Sequence, residues 1–409
     1  MKQQKNSEQL AESHRNKLRA AAIGGAFLMA MSAVGPGFLT QTATFTSQSG
    51  PNFGFAILIC ILVDIVVQLN IWRIIVVAGK RAQVIANEVF PGLGYLLSAL
   101  VAIGGLFFNI GNIGGAGLGL NVLFGILPQN GAILVATFTI IILIIKNALT
   151  TVDRTVQVLA VIKIAILIYI LWIMKVPYVT AVRHSFAPTK VNFYSIVTIV
   201  GGTVGGYISF AGGHRLLAGG AKGTADIKYV NEGALTGIGL ASVIRVMLFL
   251  AGLAVIVTGY QLDPTNPAAS IFKYAAGNFG YKFFGLLLLA SGISSTLGST
   301  FTSVSFLNYA LTDKASNKFA KYQRILTMTF IIFSTIVFYF IGQPAKVLVV
   351  VGALNGFILP IALAILLLAA HRQKIVGANY HHPLWLTITG WTVVVFMAYA
   401  SVEAVINMF

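Results

Sequence analysis

Acidic residues are scarce. Ten Asp and Glu stand against 27 Lys and Arg in 409 residues, and charged residues make up only 9% of the chain. A soluble domain carries about 25% charge, so this chain lacks the polar surface of a soluble globular protein. Cysteine is scarcer still: Cys60 stands alone, which excludes an intrachain disulfide. Histidine is thin as well. The adjacent His381-His382, with His371 nearby, lacks the ligand spacing of a metal site and is expected to be solvated in a loop. A cleavable signal peptide pattern is also missing. Residues 1–17 are polar and mixed in charge and are expected to form a cytoplasmic tail.

What the chain has in quantity is apolar sequence, 57% of its residues. Eleven runs reach or approach the roughly 20 apolar residues that cross a bilayer. They cover 18–48, 54–78, 93–126, 131–146, 154–175, 193–220, 232–260, 279–312, 322–342, 346–370 and 386–408. The fold class expected is an all-α polytopic membrane protein. The net charge of +17 is spread through the short segments between these runs. That distribution is a topology signal rather than a nucleic-acid surface. It places the N-terminus in the cytoplasm and, after eleven spans, the C-terminus outside the plasma membrane. The partners implied are the lipid bilayer and a small-molecule solute, with no nucleic acid and no cofactor.

Two spans carry breaks. Residues 32–42 read SAVGPGFLTQT, and the proline in Gly35-Pro36-Gly37 removes a helical hydrogen bond. Residues 201–215 read GGTVGGYISFAGGHR, where Gly201, Gly202, Gly205 and Gly206 form a matching weak point. Each break lies in the first span of a five-span half, 18–175 and 193–370, with 386–408 left as an eleventh helix. Paired interruptions of this kind mark the midplane solute site of transporters built from inverted repeats. Gly212 and Gly213, and the run FNIGNIGGAGLGLN at 108–121, are expected to serve close helix packing.

These residues resemble the Nramp family of divalent-metal transporters, along most of the chain. Where family members carry Gly-Ala-Thr-Val-Met-Pro-His, this chain has Gly201-Gly202-Thr203-Val204-Gly205-Gly206-Tyr207, and where they carry Asp-Pro-Gly-Asn it has Gly35-Pro36-Gly37-Phe38. The segment LNGFILP at 354–360, with Asn355 and Pro360, is also similar. The resemblance implies a LeuT-type fold, a 5+5 inverted repeat with discontinuous helices 1 and 6, working by alternating access. It also implies a lost metal site. The family's Asp, Asn and Met ligands correspond to Gly35, Phe38 and Gly205, and the motif histidine linked to proton movement corresponds to Tyr207.

A dication without counter-charge in low dielectric is very costly, and no acidic residue lies near either break. Exposed helix N-termini suit a carboxylate instead, and the loss of Asp and Met side chains is expected to leave room for an organic solute. The solute expected is an amino acid or a cyclic derivative such as 5-oxoproline. The alternative is a divalent cation (Mn, Fe or Mg) held in a rebuilt, proton-coupled site. Candidate solute-binding residues are Gly35, Pro36, Gly37, Phe38, Gln41, Thr42, Thr203, Gly205, Gly206, Tyr207, Asn109, Ser294 and Asn355. Ser294 stands for the hydroxyl-rich run SGISSTLGSTFTSVS at 291–305. Asn109 stands three residues from Asn112, a spacing that lets the two share a helix face, and interhelical hydrogen bonding is the somewhat better fit for both. Ionisable residues inside spans are functional candidates, so Asp64, Lys163, Arg245 and His214 are candidates for coupling or gating. An Asp64–Arg245 or Asp64–Lys163 ion pair is anticipated. The co-transported ion, H+ or Na+, is open, as is uncoupled facilitation. No paired carboxylates or nucleophile elbow point to an enzyme, and no ring of like charges points to a channel.

Overall fold

The computed structural model describes residues 16–27, 29–30, 33–145, 148–311 and 318–406. Most of the predicted tail, Lys146, Lys314 and the last residues of the eleventh span lie outside the described residues. Backbone polar groups in lipid must be satisfied within the segment that carries them, and the apolar runs accordingly form helices. These are α1 (16–27), α2 (Pro36–Ser49), α3 (Phe53–Ala78), α4 (Ala82–Val89), α5 (Leu93–Phe124), α6 (Pro128–Ile144), α7 (Ala148–Ile173) and α8 (Tyr178–Phe186). They continue with α9 (Phe193–Val204), α10 (Ile208–Ala218), α11 (Ile227–Val257), α12 (Pro267–Leu311), α13 (Lys318–Ile341), α14 (Pro344–Ala370), α15 (Gln373–Val376) and α16 (Leu384–Ile406).

Among the described residues, eight helical segments are long and apolar enough to cross a membrane, with Pro36–Ala78 taken as one of them. Three details depart from the predicted spans. The chain after α7 turns sharply: the axis of α8 lies 111° from that of Val161–Ile173. The eighth span begins early, at Pro267, and is interrupted at Ala276 and at Gly277, whose φ is +61°. A short amphipathic helix, α4, occupies a segment predicted as loop.

The glycine-rich run 108–121 packs as expected. A β-carbon on Gly117 would lie 2.4 Å from the Pro128 carbonyl of α6. One on Gly119 would lie 2.6 Å from the Leu289 amide of α12. Small residues thus let α6 and α12 approach α5 backbone to backbone. The second glycine pair behaves similarly: the Trp72 ring of α3 fills the space beside Gly212 and Gly213, and its Nε1 donates to the Ser209 carbonyl at 3.0 Å.

The last helix is tied to α3 by a chain of hydrogen bonds that corrects the solvated reading of the histidine pair. His381 is exposed, but His382 is half-buried. The Asn70 amide nitrogen donates to the Val66 and Leu386 carbonyls, so its Oδ1 must accept, and it lies 2.8 Å from His382 Nε2. The Tyr380 hydroxyl meets His382 Nδ1 at 2.8 Å. Both contacts suit the neutral Nε2–H tautomer. Burial, with the Arg73 charge next in importance, pushes the His382 pKa down to about 4, which keeps the ring uncharged at neutral pH.

Candidate functional site

Two helix breaks pack against α5, the first at Asn112 and the second at Phe108. Gly35 caps α2 in an extended conformation (φ −82°, ψ −173°) and Pro36 opens the helix. Proline suits that position because its missing N–H has no intrahelical acceptor there anyway. The second break is narrower than the four glycines predicted. Gly201 and Gly202 are helical, α9 continues to Val204, and only Gly205 to Tyr207 separate it from α10. Gly205 is extended, and Gly206 has φ +54°, a left-handed conformation that glycine adopts without penalty. Neither α2 nor α10 has a side-chain cap at its N-terminus.

Helix lengths place the breaks in depth. At 1.5 Å per residue, α2 and α9 are each about 20 Å long. Their far ends flank a cavity of about 540 Å³ lined by Gln48, Ser49, Asn52, Lys190, Asn192 and Tyr194 among others. The breaks therefore sit well within the roughly 30 Å hydrocarbon thickness.

The two remaining glycines of the motif each admit a neighbour. A β-carbon on Gly201 would lie 2.1 Å from the Gly352 carbonyl oxygen and 2.2 Å from the Gly356 amide of α14. A β-carbon on Gly202 would lie 2.3 Å from Gln41 Oε1. Gln41 is fully buried, and its Nε2 donates to the Leu348 carbonyl at 2.8 Å. Gln41 thus joins α2, α9 and α14 at the level of the breaks, with Gly37 beside it.

The volume expected from the loss of Asp and Met side chains is not open. A β-carbon on Gly35 would lie 2.8 Å from Ser295 Oγ and 3.5 Å from Asn112 Oδ1. One on Gly205 would lie 2.9 Å from the Asn355 β-carbon, and one on Gly206 2.1 Å from Asn355 Oδ1. Side chains from α5, α12 and α14 have closed over the positions where the family carries ligands. Those side chains are neutral, and several are buried without a hydrogen-bond partner at one atom: Asn112 Nδ2, Ser295 Oγ, Gln41 Oε1 and Asn355 Oδ1.

Of the predicted residues, Gly35, Pro36, Gly37 and Gln41 lie at the first break and the turn after it, and Gly205, Gly206, Tyr207 and Asn355 lie at the second, with Gln41 against Gly202 linking α2 to α9. Tyr207 stacks edge-on against Phe108 at 5.3 Å, and Pro36 packs against Gly115. The remaining predicted polar residues point elsewhere. Thr42 and Thr203 donate to carbonyls one turn back, Phe38 and Ile199 respectively. Asn109 accepts from Ser299 and Thr300 of α12 and donates to Ser334 of α13, a junction of three helices. On α12, Ser295 faces Gly35, while Ser294 is half-buried.

A second buried polar cluster lies beside the first break. Arg245 of α11 is 2% exposed, and its guanidinium sits 4.0 Å above the Phe38 ring. Its Nη1 donates to Cys60 Sγ at 3.1 Å and to the Ile199 carbonyl at 3.3 Å. The Cys60 thiol in turn donates to Asp64 Oδ2 at 3.4 Å. The anticipated Asp64–Arg245 ion pair is thus mediated by a thiol, and neither of the two salt bridges among the described residues involves these charges. Lys163 is buried on α7, with no recorded bond to this cluster. His214 lies further along α10, about two turns past the break, where its Nε2 accepts the Ala82 amide N–H at 3.1 Å and its ring stacks on Phe306. It closes the open N-terminus of α4.

The donor set at the breaks does not suit a transition metal, which prefers imidazole, thiolate or thioether. Among the described residues no group of three or more His, Cys, Asp or Glu could hold a metal ion. Backbone amides, carboxamides and hydroxyls can hydrogen-bond a polar organic group.

Comparison with known proteins agrees with this geometry at the level of fold. The chain is 54% identical over 376 residues to "Uncharacterized membrane protein YcsG" of Bacillus subtilis (strain 168), covering 92% of each chain. It superimposes on the Eremococcus coleocola manganese transporter with a TM-score of 0.73 at 16% identity, covering 95% of this chain and 86% of the other. It also superimposes on MhsT in complex with L-phenylalanine with a TM-score of 0.60 at 17% identity, covering 94% and 98%. Residues 26–407 match the profile described as natural resistance-associated macrophage protein-like, and with two broken helices in a LeuT-type bundle of this extent, the chain belongs to the Nramp family of membrane transporters.

Proposed function

We propose that this transporter carries a small carboxylate-bearing solute, an amino acid or a cyclic derivative such as 5-oxoproline, by alternating access. The observation that carries the reading is the set of neutral, partnerless hydrogen-bonding groups packed against the two helix breaks. In the first turn of α10 the Ile208 and Phe210 amides turn back to the Gly205 and Tyr207 carbonyls, and in both helices the helix dipole favours negative charge at the N-terminus. Asn112 and Ser295 add buried groups at the Gly35 break, and Asn355 adds one at the Gly206 break. A dication at the same place would face positive dipole ends, and the carboxylate of the neighbouring cluster, Asp64, is engaged through the Cys60 thiol with the Arg245 cation. The likeness in fold to both a manganese transporter and a protein in complex with L-phenylalanine leaves the choice of solute to this local chemistry.

In this reading the moving halves are the repeats 18–175 and 193–370, with 386–408 as an eleventh helix. The protein lies in the plasma membrane with its N-terminus inside and its C-terminus outside. Asp64, buried in the cluster beside the first break, is the group available to carry a co-transported proton.

A ligand that binds only the native state stabilises it by about 2.7 kcal/mol at a hundredfold excess over Kd. Purified protein in detergent is therefore expected to melt at a higher temperature with 5-oxoproline or a small amino acid, and to be stabilised less by the corresponding primary amides. Stabilisation by Mn²⁺, with none from any carboxylate of the panel, contradicts the proposal.

A further inference from the structure

Arg245 is the cation of the cluster beside the first break, and its bonding is one-sided. The two hydrogen bonds to protein both use Nη1. The other two nitrogens, Nε and Nη2, are buried and have no hydrogen-bond partner. Those two nitrogens form the side-on edge of the guanidinium, whose parallel N–H groups match the two oxygens of a carboxylate. A buried donor left without a partner costs more than an ordinary hydrogen bond contributes, and more for a charged group. Chains keep such groups when a ligand completes them. Asp64 does not fill the edge, because its carboxylate is reached through the Cys60 thiol instead.

The platform under the guanidinium points the same way. Phe38 occupies the position of the family's metal-ligating Asn, in the first turn of α2, and the Arg245 guanidinium lies 4.0 Å from its ring centroid. Arginine stacked on an aromatic face keeps its in-plane N–H groups available for hydrogen bonds. The chain has therefore exchanged an acceptor for metal ions for a resident cation next to the same helix break. A fixed positive charge in low dielectric repels a dication and attracts an anion.

We infer that Arg245 is the residue that receives the carboxylate of the transported solute, through Nε and Nη2, with Phe38 holding the guanidinium in plane and Cys60 and Ile199 fixing its opposite edge. This inference rests on the carboxylate reading above and assigns the anion specificity of that site to one side chain.

The test compares Arg245→Gln and Phe38→Leu with the native protein in detergent, using 5-oxoproline, a panel of small amino acids and the matching amides as probes. Affinity is read from thermal stabilisation. The native protein is expected to prefer acid over amide, and Arg245→Gln to lose that preference, with acid binding weakened at least tenfold and amide binding little changed. A purely structural role would weaken both alike. Phe38→Leu keeps a large apolar side chain and removes the platform. It is expected to weaken acid binding in the same direction, which keeps the inference testable if Arg245→Gln does not fold. Retention of the native acid-over-amide preference in Arg245→Gln, or in Phe38→Leu if Arg245→Gln does not fold, overturns the assignment while leaving the carboxylate reading intact. Absence of carboxylate binding in the native protein overturns both.

Discussion

Alanine at Gly201 is expected to abolish the stable transporter. The added β-carbon would sit 2.1 Å from the Gly352 carbonyl oxygen and 2.2 Å from the Gly356 amide. Both neighbours are helix backbone, so no side-chain rotation relieves the contact, and α9 must move bodily from α14. Overpacking an ordinary core costs about 1–3 kcal/mol, and a seam between two backbones falls at the top of that range or beyond it. The seam also holds Gln41, whose amide reaches Leu348 only while α2, α9 and α14 keep their spacing. Gly239→Ala is the control, because a β-carbon there meets nothing within 4 Å. Size-exclusion profiles of the solubilised variants check the prediction. Gly201→Ala should aggregate or melt many degrees below native, and Gly239→Ala should match native. A monodisperse Gly201→Ala of native stability would contradict the described seam.

The second large effect concerns restoring the family's metal ligands. The triple variant Gly35→Asp, Phe38→Asn and Gly205→Met is expected to gain no manganese uptake and to lose carboxylate binding by at least tenfold, a change of about 1.4 kcal/mol. In a vacated site these substitutions would simply refill space. Here Ser295 and Asn112 occupy the room at Gly35, and Asn355 occupies it beside Gly205 and Gly206. Removing Phe38 also takes the platform from Arg245 without removing its charge, so the cation that opposes a metal stays in place. Uptake of labelled manganese by proteoliposomes checks the first half, and thermal stabilisation by 5-oxoproline checks the second. Manganese uptake in the triple variant well above that of native protein would contradict the closed-site geometry.

Much of the architecture was legible in the sequence because the signals are local. Gly35-Pro36-Gly37 breaks a helix through covalent geometry, and the apolar runs mark spans by length alone. The extent of the second break was not legible. Four glycines look alike in sequence, yet Gly201 and Gly202 are helical and are glycines for the sake of α14 and Gln41. Their reason lies in partners more than 140 residues distant. The choice of Ser295 over Ser294 depends on the rotation of α12 about its axis, and a helix with hydroxyls on several faces does not declare that rotation. Cys60 was read only as a residue that excludes a disulfide. Its place between Arg245 and Asp64 needed the packing of α3 against α11. A hint was present in the i, i+4 spacing of Cys60 and Asp64, which sets them on one helix face. The partner of His382 was hidden for the same reason, since Asn70 lies in another span.

The central claim is that this Nramp scaffold moves a carboxylate-bearing solute rather than a metal. Purified protein reconstituted into liposomes tests it directly, by uptake of labelled 5-oxoproline and small amino acids beside uptake of labelled manganese, each with the unlabelled solute loaded inside. The account predicts carboxylate uptake accelerated by internal solute, as alternating access requires, and manganese uptake no greater than in protein-free liposomes. Robust manganese uptake without uptake of any carboxylate would contradict it.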